Sequence, residues 1–166
     1  TDEAIGDFER ALQIDPANVI ALENLGSAYR QEKRWAEAKS ALERALQLSP
    51  DDPAANYGLG MVFAQLDDTE RAYQYLQKAL AVHPDDPQVL NNLGVLFVRT
   101  HRLEEAEKNF QECIRVAPAF DQSYLNLARL YALQGDNRKA RAVLLELLKQ
   151  HPGHPQAEKE LQQLPQ

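Results

Sequence analysis

Apolar residues return every three or four positions within blocks of the chain, and the blocks themselves return every 34 residues. With units beginning at Val19, Pro53, Pro87 and Asp121, position 7 reads Leu25, Leu59, Leu93 and Leu127. Position 8 reads Gly26, Gly60, Gly94 and Ala128, and position 11 reads Tyr29, Phe63, Phe97 and Tyr131. Position 20 is always alanine, at Ala38, Ala72, Ala106 and Ala140. Position 24 is large and apolar, at Leu42, Leu76, Phe110 and Leu144. Residues three, four and seven apart share one face of a helix, so positions 7, 8 and 11 form one stripe and positions 20, 24 and 27 another. Each unit is therefore predicted to be two amphipathic helices of roughly 12 to 15 residues. A lone helix of that length is marginal in water, so stability must come from stacking unit on unit.

The punctuation agrees with the period. Pro16, Pro50, Pro84, Pro118 and Pro152 recur every 34 residues and end each second helix, because proline lacks an amide hydrogen and clashes with the preceding turn. Asn18, Asp52 and Asp86 are expected N-caps, with Pro53 and Pro87 as first-turn residues; Asp121 is expected to take the cap role in the last unit. Glycine in a helix interior costs about 1 kcal/mol relative to alanine. Three of them at position 8 imply that a side chain there would obstruct the second helix, whose alanine at position 20 permits close approach.

These columns resemble the tetratricopeptide repeat, W-x-x-L-G-x-x-Y followed by A-x-x-x-F, a small residue and P. The first half reads Leu22-Glu23-Asn24-Leu25-Gly26-Ser27-Ala28-Tyr29 in one unit and Leu90-Asn91-Asn92-Leu93-Gly94-Val95-Leu96-Phe97 in another. The resemblance covers essentially the whole chain. It implies an all-α fold, an α-solenoid of antiparallel helix pairs forming a right-handed superhelix whose first helices line a concave groove. It also implies a scaffold that holds peptide segments of other proteins. A single array is expected over 1–166. Residues 1–18 are the second helix of a truncated repeat, 19–52, 53–86, 87–120 and 121–154 are complete repeats, and 155–164 form a capping helix. A start in mid-unit without methionine reads as a fragment of a longer protein.

Composition narrows the function classes. The net charge of −7 disfavours binding to a phosphate backbone. No apolar run approaches the roughly 18 residues of a membrane helix, so a soluble protein is expected, with cytoplasm and periplasm both open. The one cysteine, Cys113, falls in a core column and reads as a buried thiol. No Gly-rich phosphate loop, Cys-x-x-Cys or His-Glu-x-x-His occurs, so no catalytic activity, cofactor or metal is expected. His151 and His154 lack an acidic partner nearby in sequence and read as part of an ordinary turn. Trp35 reads as packing at the start of a second helix.

The candidate site is a further stripe on the first helices, at positions 2, 5 or 6, 9, and 12 or 13. In one unit it is polar, with Glu23, Ser27, Arg30 and Gln31. The next units offer Tyr57 and Met61, then Asn91, Val95 and Val98, then Leu125 and Leu133. Contiguous exposed apolar surface marks a contact site. The expectation is an apolar floor of Tyr57, Met61, Val95, Val98 and Leu125 rimmed by Arg30, Arg99 and Arg129; the alternative is that tight curvature buries these side chains against neighbouring units. Asn24, Asn92 and Asn126, interrupted by Gly58, form a row of amides able to hold peptide backbone. The carboxylate clamp for chaperone tails is not matched: Glu23, Ser27, Gly58, Gln88 and Asn92 stand at its positions and supply no cation. The leading expectation is a noncatalytic scaffold binding an extended, partly apolar peptide. Its alternatives are the recognition arm of a larger enzyme, such as a glycosyltransferase, and a self-associating module docking through the unpaired N-terminal helix with its Ile5, Phe8 and Leu12.

Overall fold

The computed structural model describes residues 2–165, and among these it holds ten α-helices and no strand. The chain divides into two compact units, Thr1–Pro84 and Asp85–Gln166. The first contains α1 (Asp2–Ile14), α2 (Val19–Gln31), α3 (Trp35–Leu48), α4 (Pro53–Gln65) and α5 (Thr69–Val82). The second contains α6 (Pro87–Arg99), α7 (Leu103–Val116), α8 (Asp121–Leu133), α9 (Asn137–Gln150) and α10 (Pro155–Gln163). First and second helices pair as α2 with α3, α4 with α5, α6 with α7 and α8 with α9. Within the units α1 lies on α2, α3 on α4, α7 on α8 and α10 on α9. Ile5 and Leu12 are buried, so the N-terminal helix does not present the bare apolar face expected of it.

The core is built from the repeating columns. Leu22, Leu42, Leu59, Phe63 and Leu76 are fully buried in the first unit, and Leu93, Phe110, Leu130, Leu144 and Leu147 in the second. The position-8 glycines stand where the second helix comes closest. A Cβ on Gly26 would meet Leu42 Cγ at 2.5 Å, one on Gly60 would meet Leu76 Cγ at 2.7 Å, and one on Gly94 would meet Phe110 Cε1 at 2.4 Å. The obstruction is thus the large side chain of position 24, lodged over the glycine.

The starts of α2, α4 and α6 follow local chemistry. Asn18 accepts from the Ala21 amide at 2.9 Å, Asp52 from Ala55 at 2.7 Å, and Asp86 from Gln88 and Val89 at 2.8 and 3.1 Å. The expected cap at Asp121 is not made. Phe120 stands at the N-cap without a side-chain bond, and Asp121 lies inside the first turn. Its carboxylate turns instead toward the α9–α10 turn, with Oδ2 3.4 Å from His154 Nε2 and Oδ1 2.6 Å from His151 Nδ1, the latter off the hydrogen-bonding direction. His154 in turn caps α10, its Nδ1 accepting from Ala157 at 3.2 Å. The acid that the two histidines lack in sequence is therefore supplied by the fold.

Each turn from first to second helix passes through one left-handed residue, Lys33, Asp67, His101 or Gly135, with φ of 57°, 59°, 57° and 79°. Beside that turn a cation covers the position-11 ring of its repeat. Arg34 lies 4.4 Å from the Tyr29 centroid, Arg71 4.2 Å from Phe63, Arg102 4.4 Å from Phe97 and Lys139 5.0 Å from Tyr131. Such contacts add roughly 0.5–1 kcal/mol each at exposed sites, and they lock the start of the second helix to the end of the first.

Candidate functional site

In the second unit α6 runs beside α8, and a pocket of about 350 Å³ opens between them. Val95, Val98, Leu130 and Leu133 make its walls, and Phe110 of α7 reaches up as its floor. Arg99, Asn126 and Arg129 supply the polar rim. Six of these eight residues were named from sequence: Val95, Val98 and Leu133 in the apolar stripe, Arg99 and Arg129 at its rim, and Asn126 in the row of amides. Val95 is 37% exposed and Leu133 66% exposed, so the apolar wall is open to solvent. Phe110 and Leu130 were not expected there. The legible signal for Phe110 was that position 24 carries a ring in this repeat, long enough to pass between the first helices.

In the first unit Met61 and Trp35 line a smaller hollow of about 290 Å³ with Ser27, Arg30, Gln31 and Gln65. Trp35 begins α3 as expected and also forms part of this surface. Tyr57 is half-buried and lies beneath Arg30, whose guanidinium is 5.5 Å from the ring centroid. Burial lowers the Arg30 pKa and Tyr57 opposes the shift. Arginine begins so high on the pH scale that the charge is kept.

Position 5 of the first helices behaves differently from positions 9, 12 and 13. Leu125 was expected in the exposed floor; it is 5% exposed, inside a cluster with Tyr124, Ala128, Leu144, Leu147 and Ala157. Asn91, at the same position of α6, is also buried, and its Oδ1 accepts from Ser123 at 3.2 Å and from Asn126 at 2.9 Å. Position 5 thus faces the next first helix, at position 3 of which stand Ser123 and Ala157. For Leu125 the curvature alternative is what the structure adopts, and no partner can reach it.

Glu23 occupies this seam in the first unit and meets Asp52, the N-cap of α4. Burial, then the Asp52 charge, then a hydrogen bond with Asp52 push the Glu23 carboxyl up to about 7. Between the ordinary carboxylate range and about 7 the folded chain holds a proton that the unfolded chain has released. Stability therefore falls as pH rises through that window and levels off above it. Glu23→Gln should abolish this slope and make the variant the more stable at pH about 8, by on the order of 1 kcal/mol after solvent screening. Urea titrations across that pH range read the difference directly.

The row of amides is largely employed within the repeats. Asn24 is exposed, whereas Asn92 donates to the Gln88 carbonyl at 2.8 Å and Asn126 donates to Asn91. Arg129 Nε and Nη2 lie 2.9 and 2.5 Å from Glu160 Oε1 on α10. Among the described residues no group of three His, Cys, Asp or Glu is placed to hold a metal ion, and no helix is long and apolar enough to cross a membrane. Cys113 is buried, its Sγ donating to the Pro87 carbonyl at 3.1 Å, and burial pushes its thiol pKa up.

Comparison with known proteins follows the same architecture. No curated protein matches the chain in sequence. Among solved structures it is similar to MamA, at 24% identity over 97% of this chain and 91% of MamA, with a TM-score of 0.79. It is similar to YrrB, described as a tetratricopeptide repeat protein with an unusual peptide-binding site, at 24% identity over 97% of this chain and 83% of YrrB, TM-score 0.76. It is also similar to Pseudomonas aeruginosa pilF, at 26% identity over 90% of this chain and 68% of that one, TM-score 0.81. One tetratricopeptide repeat family model matches residues 29–96 and again 97–164, a second matches residues 1–53, and the chain belongs to the tetratricopeptide repeat family.

Proposed function

We propose that this chain is a noncatalytic interaction scaffold that holds an extended, partly apolar peptide along the open face of its first helices. The observation that carries the reading is the pocket between α6 and α8, where Val95, Val98 and Leu133 stand at the surface of a charged protein. An apolar wall open to water gains about 25 cal/mol for each Å² that a partner covers. Peptide binding by the structurally similar YrrB supports the same class of activity. Met61 and Trp35 offer the corresponding contact in the first unit.

The reading is tested by selecting a phage-displayed library of linear peptides on the purified chain and measuring the binders against two variants. A carboxylate planted in an apolar contact is left desolvated, so Val98→Glu should weaken the selected peptides by at least about thirtyfold. Met61→Glu should weaken peptides that bind at the first unit's hollow. Both side chains are half-buried in the walls of open hollows, so the new carboxylates can reach water and the helical circular dichroism should be unchanged. Peptides that bind the Val98→Glu and Met61→Glu chains as tightly as the parent would overturn it.

A further inference from the structure

Arg129 stands between two hollows of the second unit. On one side is the α6–α8 pocket. On the other a hollow of about 390 Å³ lies between α8 and α10, with Lys159 and Glu160 on its α10 side. The guanidinium is held across this second hollow by Glu160, whose Oε1 also accepts from Gln156 at 2.8 Å. The Glu160 side chain is 14% exposed and that of Arg129 49%, so the cation is the member of the pair that reaches solvent. Residues lining the two hollows include three cations, Arg99, Arg129 and Lys159, against the single acid Glu160. This is a local excess of positive charge on a chain whose net charge is −7.

We propose that the α6–α8 pocket takes an apolar side chain from a segment that carries a carboxylate beside it, and that Glu160 stands in for that carboxylate while the site is free. The inference rests on the peptide-binding reading above and specifies its partner: an acidic, aliphatic segment rather than a basic one. The physical basis is complementarity on both counts. The aliphatic side chain covers Val95, Val98 and Leu133, while the carboxylate meets Arg99 and Arg129, the second already arranged to receive an anion. Arginine suits this role because its planar fork can hold two carboxylates at once or pass from one to the other. Glu160 belongs to α10, so it competes with the incoming acid as an intramolecular group and lowers the affinity of the free site.

The test uses three fluorescein-labelled 12-residue peptides on the full chain, read by fluorescence anisotropy. Each has a Gly-Ser background with a central pair of leucines, flanked by Asp in the first, Asn in the second and Lys in the third. The Asp peptide is expected to bind about tenfold tighter than the Asn peptide, and the Lys peptide weakest, with the difference shrinking as salt is added. Glu160→Gln should raise affinity for the Asp peptide three- to fivefold relative to the Asn peptide. Arg129→Gln should lower affinity for the Asp peptide by about tenfold. Equal binding of the three peptides, no effect of Glu160→Gln, or no binding of the Asp peptide up to about 1 mM overturns the inference. If the peptides bind equally and Val98→Glu abolishes all three, the peptide-binding reading stands and only the acid preference falls. Binding that survives Val98→Glu in every arm removes the reading itself.

Discussion

Phe110→Ala is expected to cost the second unit about 3–5 kcal/mol, the range for removing a fully buried aromatic side chain. Phe110 is 1% exposed, and it lies against the backbone of Gly94, which carries no side chain to move into the space. With no side chain there to fill it, the hollow left would open into the α6–α8 pocket that Phe110 floors. A marginally stable domain has about 5–15 kcal/mol in all. Urea unfolding followed by circular dichroism should show the second unit melting at much lower denaturant. Amide exchange should rise in α6, α7 and α8, while α2 and α3 keep their protection. Because Phe110 floors the pocket, peptide binding should weaken in the same variant.

The reverse change at the same contact is expected to have the next largest effect. In Gly94→Leu the new Cβ alone would lie 2.4, 2.7 and 2.8 Å from Phe110 Cε1, Cδ1 and Cζ. Overpacking of this kind costs about 1–3 kcal/mol and occasionally more, while replacing glycine within a helix returns about 1 kcal/mol. The three contacts are all far shorter than van der Waals distance and fall on a buried ring, so the cost is set at the top of that range, and a net loss of about 2 kcal/mol is expected. The pair gives a sharper test than either alone. With Phe110 already alanine, a leucine at position 94 finds room, so the double variant should be more stable than the sum of the two losses by about 1–3 kcal/mol. Additive losses would show that the two residues do not share one space.

How much of this was legible beforehand depends on the residue. The 34-residue period carries the helix register, and the first helices begin at Val19, Pro53, Pro87 and Asp121, the same residues that open each unit. The glycine column announced a close approach because no other residue type tolerates so near a neighbour. Positions 9, 12 and 13 carry Val95, Arg129, Val98, Arg99 and Leu133, and in the structure these residues line one pocket. Leu125 was misplaced because a helical stripe has no sharp edge: position 5 is one turn from position 9 but faces the following first helix. Which side a boundary position takes is decided by neighbouring repeats, and here by Ala157 of α10. Asp121 was misread for a related reason. Its local sequence fits a cap, but two histidines thirty or more residues away offer its carboxylate another setting. The cations over the position-11 rings were also hidden, since they come from position 16 in two repeats and position 19 in the others.

The most direct measurement is an amide chemical-shift titration of the full chain with the Asp-flanked leucine peptide. Binding on the first-helix face should move the signals of Val95, Val98, Arg99, Arg129 and Leu133 together, with a common saturation point. Perturbations centred on the second helices, for example around Leu145, with those five signals unmoved, would contradict it.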